Sequence, residues 1–193
     1  AKKNIIVKIA PVAEFIYYIN YIARNNILNN KQINTIEKIK LNLTYAYQTY
    51  QERKFKKIFE KSGLYDFEMI DIAKTIEHAE HLMSKKFTGE AILTTGMALR
   101  EVLHSATGVI SIGPFGCMPS RVAESLLNEE MTVEGKILAS NNKKYAGKFK
   151  NVSNLPFLGI ETDGNPYPQI IEARIETFIL QSQRIHEIMN KNQ

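Results

Sequence analysis

One pattern recurs in this chain, and it constrains the fold more than any bulk property. The apolar run Val109-Ile110-Ser111-Ile112 enters a glycine-rich turn, Gly113-Pro114-Phe115-Gly116-Cys117-Met118-Pro119, followed by a helix-like stretch from Arg121 to Leu127. Further on, Leu155-Pro156-Phe157-Leu158-Gly159-Ile160 enters the loop Glu161-Thr162-Asp163-Gly164-Asn165. After Pro166 and Pro168 a long helix carries Ile171, Ile175, Phe178, Ser182, Ile185 and Met189 in one seam. Two successive strand–loop–helix units predict an α/β fold with parallel strands and crossover helices. Loops at the carboxyl ends of such strands share one edge of the sheet, where open α/β folds bind ligands. Cys117 and the loop 161–165 are therefore expected to face the same crevice.

The first half reads as helical. Pro11 suits a first helical position, and Val12, Phe15, Ile16, Ile19, Ile22 and Ala23 follow at helical spacing. From Lys31, the residues Ile36, Ile39, Leu43, Ala46 and Tyr50 step by three and four, a narrow stripe that predicts a helix ending at Ser62-Gly63. A third helix is expected after Asp66, an N-cap type, with Met69, Ile72, Ala73, Ile76 and Met83 on one face. A fourth helical stretch runs from Thr88-Gly89 through Leu99 to near Gly108. This organisation predicts a mostly helical segment over 1–87 packing on an α/β domain over 88–193, with a polar insertion at 128–154.

Bulk properties bound the class. The chain has 193 residues, 44% hydrophobic, a size for one generous domain. Its single cysteine admits no internal disulfide, which predicts a reducing, cytoplasmic setting. No apolar run reaches the roughly 20 residues that span a bilayer, so no membrane partner is expected. The chain starts on Ala1 without an initiator methionine and is read as a piece of something longer. The net charge of +5 concentrates in Arg53-Lys54-Phe55-Lys56-Lys57 and in Lys143, Lys144, Lys148 and Lys150. These suit solvated faces or an anionic cofactor such as coenzyme A; no nucleic-acid motif accompanies them, and no nucleic-acid partner is expected.

Cys117 is the candidate with the most chemical content. A thiol at a strand-to-helix crossing meets helix N-terminal amides, surroundings that favour a nucleophile or a metal ligand. A small buried cysteine is the competing reading. The loop holding Glu161, Asp163 and Asn165 offers carboxylates and amides to a ligand, and is equally a plain turn before a helix. Glu77-His78-Ala79-Glu80-His81 has the wrong histidine spacing for the helix-borne zinc motif. Ser120 lacks a neighbouring histidine, and His104 or His186 would have to meet Cys117 in space to form a thiol enzyme. Glu172, Arg174 and Glu176 suggest an ion network or a solvated face. No catalytic residue is assigned.

The stretches 113–124, 155–165 and 168–178 together resemble one family. It is the 2-hydroxyacyl-CoA dehydratase and activase-related proteins of anaerobes, in particular the C-terminal part of the long fused activase chains. The resemblance covers roughly 108–186, interrupted by 128–154. It implies a Rossmann- or flavodoxin-like α/β domain with Cys117 as ligand of a 4Fe-4S cluster, and Gly113, Pro114, Phe115, Gly116, Glu161, Asp163 and Asn165 around the cofactor. The implied chemistry is low-potential electron transfer, primed by an ATP-hydrolysing activator, that makes a ketyl radical on a 2-hydroxyacyl-CoA and expels water. Related proteins reduce other small molecules by the same ATP-driven injection, so the system is a lyase or an ATP-dependent reductase. A cubane takes four thiolates and this chain has one, so the others must come from the rest of the parent chain or a partner subunit. The isolated chain is expected to be inactive and to lack iron. The rival readings are a docking or acyl-CoA-binding module without catalysis, and a thiol enzyme using Cys117.

Overall fold

The computed structural model describes residues 5–27, 34–63, 67–164 and 169–191. In chain order its elements are α1 (Ala13–Arg24), α2 (Thr35–Glu60), α3 (Ile72–Ala79), α4 (Glu90–Glu101), β1 (Val109–Pro114), α5 (Met118–Glu130), α6 (Val133–Ser140), α7 (Lys144–Lys148), β2 (Phe157–Thr162) and α8 (Gln169–Lys191). The architecture is mixed α/β and mostly helical. Among the described residues the sheet consists of β1 and β2, paired in parallel with Val109 opposite Phe157 and Pro114 opposite Thr162. Contacts divide the chain into two compact units, one comprising Ile9–Ala73, the other Ala1–Lys8 with Lys74–Gln193. The expected N-cap Asp66 lies outside the described residues, and α3 starts only at Ile72.

The unit of Ile9–Ala73 is built on α1 and α2. Both helices fall where the spacing placed them, but their apolar stripes do not form the contact. On α1 the buried residues are Glu14, Tyr17, Tyr18 and Asn20, while Val12, Phe15, Ile16 and Ile19 are exposed. On α2, Ile36, Ile39, Leu43 and Tyr50 are exposed and no residue is fully buried. Tyrosine decides the orientation. The Tyr17 ring packs edge-on against Tyr45 at 6.0 Å, and the Arg24 guanidinium covers the Tyr45 ring at 4.2 Å. Such aromatic and cation–π contacts bury large surface while tolerating polar neighbours. Glu52 completes the frame: it pairs with Lys56 at 2.5 Å and accepts from the Ile70 amide at 2.8 Å.

In the unit that holds the sheet, α4 is central. Ala91, Ile92, Leu93, Thr95, Gly96, Ala98, Leu99 and Glu101 are all buried, so this helix is covered nearly all round. Its close approach to α3 requires a glycine: a Cβ on Gly96 would sit 2.0 Å from the Thr75 carbonyl oxygen. The helix ends sooner than its apolar pattern suggests, because Leu103 takes a left-handed φ of 60° and the chain turns back.

The stretch 128–154, expected as a polar insertion, is largely helical and belongs to the core. Met131, Val133, Ala139 and Phe149 join Leu99, Val102, Leu127, Leu155 and Ile185 in one cluster. Its polar residues mostly face outward, while Val133 and Ala139 on α6 and Phe149 just after α7 turn inward. One exception is Lys136, which is 1% exposed. Its Nζ donates to the Leu99 carbonyl at 2.6 Å and the Arg100 carbonyl at 2.8 Å, filling acceptors that the last turn of α4 leaves open. Burial lowers the Lys136 pKa to about 8, opposed by the Glu101 carboxylate. The neutral amine still has two N–H groups, enough for both carbonyls.

Two outcomes are expected. Gly96→Ala should destabilise the fold by about 3 kcal/mol in urea denaturation, because backbone must move to admit the methyl. For Lys136 the unfolded side chain titrates near 10.5 and the folded one near 8, so between those values the unfolded chain holds more proton. Its contribution to stability therefore rises with pH across that window. Urea midpoints at about pH 7.5 and about pH 9.5 should show the rise, and Lys136→Met should flatten it.

Candidate functional site

The sheet places Cys117 and the second loop at one edge. β1 ends at Pro114, directly beside Thr162 at the end of β2. Beyond Pro114 the chain makes a tight turn through Phe115 and Gly116, closed by the Cys117 amide donating to the Pro114 carbonyl at 3.2 Å. Gly116 takes a φ of +71°, a left-handed conformation that a side chain disfavours by roughly 1–2 kcal/mol. Cys117 is then the N-cap of α5, its carbonyl accepting from the Arg121 amide at 3.0 Å. Pro119 fits because the first turn of a helix needs no amide donor there. The thiol is free and half-buried, and makes no hydrogen bond among the described residues. Close to it in the chain, Ile112, Phe115 and Met118 are 58%, 65% and 74% exposed, leaving apolar side chains at the turn open to solvent.

Close packing holds the turn to the sheet. A Cβ on Gly113 would sit 2.2 Å from the Ser120 Oγ, so Ser120 is packed against the strand. Gly159 on β2 likewise makes room for the Glu124 carboxylate, which lies 2.4 Å from where a Cβ would be. Arg121 links the two sides, reaching Glu124 at 2.6 Å and Glu161 at 3.3 Å. From α8, Arg174 donates to the Gly159 carbonyl at 3.1 Å. Arg121 and Glu124 were not among the residues expected at the site, although their three-residue separation on a helix is a legible ion-pair signal. Arg174, between Glu172 and Glu176 in the sequence, reaches β2 through that bond to Gly159.

The remaining expected residues divide. Gly113, Pro114, Phe115, Gly116, Cys117 and Glu161 lie together at the edge. Asp163 is exposed just beyond it, where the Gly164 amide donates to the Thr162 hydroxyl at 3.0 Å, and Asn165 lies outside the described residues. His78 Nδ1 donates to the Lys74 carbonyl, its pKa lowered by burial, and His81 approaches Glu130 at 3.7 Å. His186 is bonded to Asn190 and His104 is exposed. No histidine hydrogen-bonds Cys117 among the described residues.

What the edge can hold follows from its donors. A cubane takes four thiolates, and the chain offers one. Among the described residues no three His, Cys, Asp or Glu side chains group as metal ligands. The described residues do not by themselves make a cluster site.

Gly113→Ala should lower stability by about 2 kcal/mol, because the new methyl meets Ser120. The double variant Gly113→Ala, Ser120→Gly should recover most of that loss in urea denaturation, showing that the contact between β1 and α5 carries it. No protein-family model, no curated protein and no solved structure matches this chain.

Proposed function

We propose that this chain is one domain of a protein similar to the ATP-primed iron–sulfur 2-hydroxyacyl-CoA dehydratases and their activases, in which Cys117 is a single cluster ligand. The observation that carries this reading is a free, half-buried thiol on a helix N-cap, at the carboxyl edge of parallel strands, with exposed Ile112, Phe115 and Met118 close to it in the chain. Exposed apolar side chains of that kind suit contact with another protein surface, which must supply the other thiolates. That surface belongs to the parent chain or to a partner subunit. The ordered motifs at 113–124, 155–165 and 168–178 support the same reading.

When bound, a cubane supplies low-potential electron transfer. This chain's own residues do the positioning. The Gly116 turn sets Cys117 at the N-cap of α5, and Arg121 bridges Glu124 and Glu161 at the same end of the sheet. An ATP-hydrolysing activator and an acyl-CoA substrate belong to the same proposal, as do a cytoplasmic location and completion of β1–β2 into a Rossmann- or flavodoxin-like sheet. Among the described residues no helix is long and apolar enough to cross a membrane. A second reading, a docking or acyl-CoA-binding module without catalysis, rests on the same exposed apolar side chains.

Anaerobic preparation of the full-length protein, with iron and sulfide assayed for wild type and Cys117→Ala, separates the two. Ligation predicts loss of most cluster iron and of its visible absorbance in the variant. Unchanged iron content with Cys117→Ala sinks ligation and leaves the docking module.

A further inference from the structure

The unit of Ile9–Ala73 contains a cavity of about 480 Å³, within the range of small-molecule sites. Its chemistry is set by α1 and α2. Arg24, in the last turn of α1, has its guanidinium face on the Tyr45 ring at 4.2 Å, and its Nε donates to the Asn42 Oδ1 at 3.0 Å. Stacked on one face and bonded through Nε, the planar group is fixed in orientation. Its two terminal nitrogens have no partner among the described residues and remain available for a two-pronged contact. Lys38 lines the same cavity, and its ammonium forms no ion pair among the described residues. Asp71 is the one acidic residue on the wall, and it has an interaction of its own.

The rest of the lining is aromatic, amide and aliphatic, the last from Leu41, Ile70, Ile72 and Ala73. Tyr17 and Tyr21 join Tyr45 as walls. Tyr17 is 6% exposed, and its hydroxyl lies beside Glu52 and Thr49. Burial and the nearby Glu52 carboxylate hold that hydroxyl protonated, so it stays a donor.

We propose that this cavity binds a small organic anion, its carboxylate or phosphate held by Arg24 and Lys38 and its body lying against the tyrosines. The proposal is independent of the reading of Cys117, since every group it uses belongs to the other unit. Arginine suits planar carboxylate and phosphate oxygens alike, so the anionic group is the shared chemistry.

The chain has nine tyrosines and no tryptophan, so intrinsic tyrosine fluorescence reports occupancy. Titration with benzoate and, separately, with inorganic phosphate, at constant ionic strength set by sodium chloride, should give saturable binding of at least one, with a Kd on the order of 1 mM. Benzoate alone identifies a carboxylate ligand, and phosphate alone a phosphoryl one; both support the site. Arg24→Gln should weaken binding at least about tenfold and Lys38→Gln severalfold, with helical circular dichroism of each variant recorded to separate lost binding from lost structure. Arg24→Lys should recover only part of the loss, since an ammonium lacks the fork. Absence of saturable binding by either anion overturns the proposal, and so does binding that Arg24→Gln leaves unaltered.

Discussion

Parallel strands cannot be joined by a hairpin, and the pairing of β1 with β2 is the constraint on which the site depends. The chain leaving β1 must travel the length of the sheet before it can re-enter it, and residues 115–156 make that journey through α5, α6 and α7. Both strands then end at the same edge. Pro114 and Thr162 are register partners, so the thiol turn and the acidic loop emerge side by side. The site is thus a by-product of topology, sharpened by close packing. Gly113 lets α5 approach through Ser120, and Gly159 admits Glu124. Arg121 can then reach acids on both α5 and β2.

A second interaction stabilises the scaffold behind that edge. α4 is buried on nearly every side, which leaves its last carbonyls far from water. An unfilled buried acceptor costs about 1–3 kcal/mol, so an end of this kind needs a donor. Lys136 supplies it from α6, and α6 is thereby tied to the core across a polar contact rather than an apolar one. The arrangement places a charge where charge is disfavoured, and the lysine responds with a lowered pKa. Cohesion and the rise of stability with pH come from the same contact.

The α1–α2 unit follows a different logic. It turns a tyrosine-rich, partly charged face inward and leaves aliphatic residues such as Ile16, Ile39 and Leu43 in water. Leaving such side chains exposed forgoes roughly 1.5–3 kcal/mol each relative to full burial. What the unit gains is a cavity with a fixed guanidinium, which an aliphatic interface would have closed.

Much of the architecture was legible from local pattern. The spacing of Ile171, Ile175, Phe178, Ser182, Ile185 and Met189 marks the face of α8 that turns inward, because a helix must bury one stripe. The glycines around Cys117 mark a turn, because Gly116 needs a conformation other residues avoid. These are properties of neighbours in the chain, and sequence alone determined them. Which face α1 would bury, that 128–154 would enter the core, and that Lys136 would close α4 were decided by tertiary structure. Each depends on a partner distant in sequence: Tyr45 for Tyr17, Leu127 and Leu155 for Phe149, the carbonyls of Leu99 and Arg100 for Lys136. Periodicity gives the angle of a stripe around its own helix, but free energy is released only where another surface meets it, and that meeting is written in three dimensions.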